Sequence, residues 1–219
     1  MNNFFKSVEG KFISVVAVVV VCMFGYYFYQ MSADESANAP VNIEVNATDH
    51  IRGSLNGKVT LVEFGDFQCP ACGNYEPLVE KVIDQNKKDL KFVFRHFPLT
   101  QVHQNAMLAA KASESASLQG KFWEMHDVIY AHQTDWSEGV DARNVFISYA
   151  QNIGLDVEKF KTNLDNPSIE QNILAEEKEG VKLGVNSTPS FFLNGKKLKN
   201  PATVEEFDAL IKKEIQNTK

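Results

Sequence analysis

Cys69 and Cys72 are the residues whose types and spacing most plainly suit chemistry. Two thiols so placed can close to a disulfide and reopen by exchange with another dithiol. Cys22, the third cysteine, lies inside an apolar run and is not expected to meet them. A zinc ribbon needs a second Cys pair, or histidines at ligand spacing. There is no second pair, and of the five histidines (50, 96, 103, 126 and 132) only His126 and His132, six apart, come near ligand spacing, and they read as helical surface. A structural disulfide closing so short a loop would stabilise little. Redox chemistry is the reading that remains, with no metal and no cofactor expected.

The attacking species is a thiolate, whereas a free cysteine has a pKa of about 8.5. The elements around the pair supply the means of lowering it. Val59-Thr60-Leu61-Val62-Glu63-Phe64 has apolar residues on both parities and reads as a strand buried on both faces. It runs through Gly65-Asp66-Phe67-Gln68 into the cysteines. Tyr75, Leu78, Val79, Val82 and Ile83 then recur at helical spacing, so a helix is expected over Asn74 to Gln85, kinked at Pro77. Pro70 suits the first helical position, which puts Cys69 just before the helix start. There the helix dipole and the amides of Ala71 and Cys72 favour an anionic sulfur. Cys72, one turn in, is expected to be more buried. Cys69 then attacks or is attacked, and Cys72 resolves the mixed disulfide. Glu63 is the only acidic residue on the buried strand. Desolvated there, its carboxyl would have a raised pKa and serve as proton carrier for Cys72.

The rest of the chain builds outward from this turn. Leu90 to Phe97 reads as a second strand, giving a strand–helix–strand unit with a right-handed crossover. From Gln101 to about Leu183 only helices are expected: Val102 to Leu118, Lys121 to His132, Asp141 to Gln151, Asp156 to Asn163, and a last one capped by Asn166 with Pro167 first. Strand signals return at Ser190 to Leu193 and Lys196 to Leu198, joined by the hairpin pair Asn194-Gly195. Phe207, Leu210 and Ile211 then mark an amphipathic helix over Val204 to Ile215. Phe122, Trp123 and Met125 read as helix core. Arg95 and His103 read as hydrogen-bonded structural residues.

Residues 12–29 carry no charge, which at 1.5 Å per residue is roughly enough helix to cross a hydrocarbon core. Lys6 and Lys11 precede the run, Asp34 and Glu35 follow it, and the next basic residue is Arg52. The positive-inside rule then predicts a cytoplasmic N-terminus and a domain outside the membrane, periplasmic or extracellular. The rival reading is a cleaved signal peptide, with Ala37-Asn38-Ala39 as its site; that site lies far beyond the apolar run. A net charge of −6 argues against nucleic-acid binding. The expected division is a cytoplasmic N-terminus over 1–11, a single-pass anchor over 12–30, a Ser-, Ala- and Asn-rich linker over 31–48, the first half of the catalytic fold with its Cys-Pro-Ala-Cys over 49–100, a helical insert over 101–183 and the second half over 184–219.

Four blocks in order now carry a family resemblance: Val62 to Cys72, Phe94 to Leu99, Gln119 to Asp127 and Gly184 to Gly195. Together they resemble the DsbA-like branch of the thioredoxin superfamily, in its membrane-anchored form. The resemblance implies an α/β thioredoxin fold with an inserted all-helical domain. It implies that Thr188-Pro189 is a cis peptide beside the dithiol, in a loop whose backbone pairs with substrate. A proline there offers no N–H and leaves room for a substrate thiolate. In the family the acidic residue six before the first cysteine is the buried proton carrier, and Glu63 matches it. The chain departs from the best-known oxidases at Pro70-Ala71, where they carry Pro-His, and at Thr188, where they carry valine.

What the resemblance implies is an extracytoplasmic thiol–disulfide oxidoreductase acting as a monomer. As an oxidase it would donate the Cys69–Cys72 disulfide to reduced, unfolded secreted proteins. A quinone-linked membrane oxidase would then re-oxidise it. The alternatives are a reductase or isomerase kept reduced by a membrane partner, and a binding or chaperone module with a vestigial pair.

Overall fold

The structure is a computed structural model that describes residues 19–27, 40–138 and 141–218. The chain divides into two units, Met1–Pro40 and Val41–Lys219. In the first, residues 19–27 are helical and are labelled α1. The rest of the stretch expected as an anchor, 12–18 and 28–30, lies outside the described residues, as does most of the linker. Among the described residues no helix is long and apolar enough to cross a membrane.

The second unit contains β1 (His50–Gly53), β2 (Val59–Gly65), α2 (Pro70–Asn86), β3 (Leu90–His96), α3 (Ala106–Ser117), α4 (Phe122–Ala131), α5 (Gln133–Trp136), α6 (Ala142–Asn152), α7 (Val157–Leu164), α8 (Pro167–Lys182), β4 (Ser190–Leu193), β5 (Lys196–Lys197) and α9 (Val204–Asn217). The sheet order is β1-β3-β2-β4-β5. β2 and β3 are parallel, and the other pairs are antiparallel. This is an α/β thioredoxin fold with a helical insertion between β3 and β4.

The two central strands are buried along nearly their whole length, as their unbroken apolar runs require. Side-chain alternation splits them between two cores. Leu61, Phe92, Phe94 and Phe191 face one core with Val79 and Val82 of α2, Phe207 of α9 and much of the insert. Val62, Phe64, Val93 and Phe192 face a smaller one. Gly180 of α8 lets that helix approach the sheet: a Cβ there would lie 2.8 Å from the Phe97 ring.

Several details differ from the sequence expectations. Helix α2 extends over Pro70–Asn86, beyond the expected Asn74 to Gln85, and contains Pro77, where packing of Val79, Val82 and Ile83 offsets one missing amide bond. Helix α3 starts at Ala106 and not at Val102, because residues 101–105 are taken up by turns. β1 was not foreseen; only Ile51 of its four residues is strongly apolar, and pairing with β3 makes it a strand. Residues 41–48, expected as linker, are seated on the unit. Val41 N donates to Gly195 O at 2.9 Å, Ile43 and Val45 pack on the smaller core, and Arg95 Nη2 donates to Glu44 O at 2.6 Å. The hairpin forms with Asn194 at φ 48° and Gly195 at φ 79°, backbone angles that explain the Asn-Gly pair.

Candidate active site

Cys69 is the N-cap of α2, with φ −69° and ψ 120°, and Pro70 opens the helix behind it. Both cysteines are free thiols; Cys69 is 8 % exposed and Cys72 is 1 % exposed. The chain therefore presents one sulfur to the surface and hides the other a turn below. The pKa of Cys69 falls to about 5. The largest cause is a hydrogen bond from the Cys72 thiol; burial works against it, and the Thr188 hydroxyl and the amides of Cys72 and Ala71 add to it. Cys72 moves the other way, well above an ordinary thiol, chiefly through burial and then through donation to Cys69 and the charges of Glu63 and Cys69. The two thiols are thus split into a stable thiolate and a reluctant one.

Alternation along β2 puts Glu63 on the face that carries Leu61, beneath α2. Its neighbours across the sheet are Phe94 and Phe191. It is 2 % exposed, and Oε2 has no hydrogen-bond partner among the described residues. Burial above all, and then the charges of Glu76 and Cys69, push its carboxyl well above the usual range. A protonated carboxyl is what a proton donor to Cys72 has to be.

The loop before β4 closes the site from the opposite side. Thr188-Pro189 is a cis peptide. As a thiol, Cys69 donates through Sγ to Thr188 O at 3.4 Å. The Thr188 hydroxyl beside it is buried with no hydrogen-bond partner among the described residues, so it is free to turn toward the thiolate, and it helps to lower the Cys69 pKa. Pro70 lines a groove of about 740 Å3 beside the cysteines, with Gln68, His103 and Gln133. Ala71 supplies its amide to Cys69.

The structure adds residues that the sequence reading did not single out. Asp66, 1 % exposed, accepts the Cys69 amide at its carbonyl (3.1 Å) and donates its own amide to Cys72 Sγ (3.5 Å). Gln133 Nε2 donates to Phe67 O at 2.6 Å and to Cys69 O at 2.9 Å. Glu76, on α2 below the pair, is raised to about 8 by burial and by the charge of Asp127, with Arg52 opposing. An acidic residue one turn beyond a dithiol was the only signal of it in the sequence. Arg95, which the sequence already marked as a hydrogen-bonded structural residue, is a buried cation bonded to Asp49 (2.9 and 3.0 Å), Glu179 (2.7 Å) and Glu44 O.

A family model described as thioredoxin matches residues 45–213. The chain belongs to the thioredoxin family. Within it the chain is DsbA-like. BdbD from Bacillus subtilis, in its oxidised form, superposes with a TM-score of 0.68 at 26% identity, covering 82% of this chain and 100% of that one. Wolbachia pipientis α-DsbA1 superposes with a TM-score of 0.69 at 19% identity, covering 80% and 95%. Curated relatives include proteins named Na(+)/H(+) antiporter NhaA. That of Salinispora arenicola is 37% identical over 172 residues, 78% of this chain and 25% of its own length. That of Herminiimonas arsenicoxydans is 29% identical over 212 residues, 94% of this chain and 33% of its own length. The chain thus spans a quarter to a third of these antiporters. The thioredoxin family, the DsbA-type neighbours and the dithiol geometry together support thiol–disulfide oxidoreductase activity.

Proposed function

We propose that this oxidoreductase is an extracytoplasmic disulfide donor to reduced, unfolded secreted proteins. The observation that carries the direction is the Cys69 pKa of about 5. A stable thiolate stabilises the reduced enzyme, and stabilising the reduced form makes the disulfide a stronger oxidant. The value lies between about 7 for thioredoxin and about 3.5 for DsbA.

The reaction runs in two exchanges. A substrate thiolate attacks Sγ of Cys69; the Cys69–Cys72 bond breaks and its electron pair goes to Cys72. Glu63 gives its proton to Cys72, which leaves as a thiol because its environment disfavours charge. A second substrate thiolate attacks the substrate sulfur of the mixed disulfide, and Cys69 departs as its stabilised thiolate. The Thr188 hydroxyl and the Ala71 and Cys72 amides receive that charge. Pro189 at the same loop leaves room for the incoming thiolate, and the loop backbone pairs with the substrate chain. Two electrons have then moved from substrate to enzyme, and a quinone-linked membrane oxidase removes them.

The location belongs to the same proposal. The uncharged stretch 12–29, with Lys6 and Lys11 ahead of it, supports a single-pass anchor with a cytoplasmic N-terminus. The catalytic unit then works outside the membrane as a monomer. Equilibration of the full chain with glutathione buffers tests the direction. A reduction potential near about −120 mV, the level of DsbA, supports a disulfide donor; one near about −270 mV, the level of thioredoxin, makes the chain a reductase.

A further inference from the structure

We propose that His103 is a positioning residue for the dithiol, acting through Asp66 on Cys72. This rests on the thiol–disulfide exchange described above. Asp66 bonds to both cysteines through its main chain, by the carbonyl to the Cys69 amide at 3.1 Å and by the amide to Cys72 Sγ at 3.5 Å. Its orientation is set by its carboxylate, whose side chain is fully buried. Oδ1 accepts the Gln68 amide at 2.8 Å, and Oδ2 accepts the Leu99 amide at 3.0 Å and His103 Nδ1 at 2.6 Å. The two amides belong to the backbone and leave only with the fold. The histidine is the one side-chain donor in the set.

The chemistry gives that donor a consequence. Whenever the Cys69–Cys72 bond opens, negative charge gathers on Cys72 Sγ in the transition state, before a proton arrives. The Asp66 amide is the main-chain group that opposes the rise of the Cys72 pKa. A donor held in line with a developing thiolate lowers the barrier to its departure. Loss of the His103 bond leaves a buried carboxylate one donor short; Asp66, still held by the Gln68 and Leu99 amides, resettles slightly, and the longest of its bonds, from its amide to Cys72 Sγ at 3.5 Å, loosens. His103 also lines the groove beside Pro70 with its side chain 19% exposed, so the device begins at the surface where a substrate chain would lie. Cys69 draws its thiolate stability from Cys72, Thr188 and the helix amides, none of which bonds to His103. Asp66 reaches Cys69 only at its amide and reaches Cys72 at its sulfur, so the device acts chiefly on the Cys72 sulfur.

The test uses the oxidised full chain and excess dithiothreitol, with tryptophan fluorescence reporting disulfide opening. In His103→Ala the opening rate falls on the order of threefold to tenfold, the range expected for one hydrogen bond. Iodoacetamide alkylation of Cys69 in the reduced variant proceeds at the wild-type rate, which also shows that the site is folded. His103→Asn, whose amide can place a donor near Nδ1, restores most of the opening rate. An unchanged opening rate in His103→Ala overturns the proposal, as does equal slowing of opening and alkylation, or an Asn variant no faster than the Ala one. If the wild-type disulfide itself resists dithiothreitol, it is the exchange reading that fails, and this result is distinct from the others.

Discussion

Gln133 and Cys69 are joined across the boundary between the helical insert and the catalytic turn: Gln133 Nε2 donates to Cys69 O at 2.9 Å and to Phe67 O at 2.6 Å. The insert is therefore fastened to the turn itself. Gly73, one residue after the dithiol, is small because Gln133 is there; a Cβ on it would lie 2.8 Å from Gln133 Oε1. Gln133→Ala should cost about 1–3 kcal/mol, since two carbonyl acceptors lose their donor. Gly73→Ala alone should destabilise by displacing the Gln133 amide, yet add little in the Gln133→Ala background. A urea double-mutant cycle measures this coupling; simple additivity would count against it.

The low pKa of Cys69 predicts a redox-dependent acid sensitivity. The folded value of about 5 lies below that of an ordinary thiol. A depressed acid stabilises the fold above its unfolded pKa, and that contribution is lost as pH falls through the folded value. The oxidised protein has no thiol at this position to titrate. Denaturation of both forms between pH 4 and pH 9 should show the reduced form losing stability relative to the oxidised one steadily as pH falls from the ordinary thiol range of about 8.5, the difference levelling off below about 5. Parallel curves would contradict the assignment.

Glu63 should separate stability from turnover. Its folded pKa is raised, so its contribution is favourable below the unfolded value and turns unfavourable as pH rises through that range. Glu63→Gln removes a buried carboxyl that resists ionisation, and should raise Tm at pH 8. The same change removes the proton carrier, and turnover should fall by about tenfold or more. The reduction potential should move less than the rate. A shifted potential with an unchanged rate would remove Glu63 from the mechanism.

Arg95 is a structural counterpart to these groups. It is 1 % exposed and ties Asp49 and Glu44 O to Glu179 on α8. Arg95→Met leaves the buried Asp49 carboxylate unpaired and should cost about 3–5 kcal/mol in urea denaturation. Adding Asp49→Asn should recover part of the loss. Alkylation of Cys69 in the folded protein should stay near the wild-type rate, because the cation lies on another part of the sheet.

Local chemistry was legible in the residue order. Cys69 before Pro70 marks a helix start, Asn166 and Pro167 cap α8, and Asn194-Gly195 makes the hairpin. Each is decided within a few residues by backbone preference and by which amides need a partner. The unbroken apolar runs of β2 and β3 likewise announced buried central strands. β1 and the seating of residues 41–48 were not legible, because short segments with few apolar residues take their form from the surface they meet.

The sequence by itself determined that two thiols stand at a helix start with an acid six residues ahead on a buried strand. Tertiary structure alone decided what those groups feel. Sheet register turns Glu63 under α2, and folding brings Thr188 to Cys69 across 119 positions. The turn between β3 and α3 carries His103 to Asp66, and the insert carries Gln133 to the Cys69 carbonyl. The reason is physical: backbone preference acts over a few residues. Burial, field and hydrogen bonding at the dithiol depend on atoms that only the closed chain puts within a few ångströms of each other.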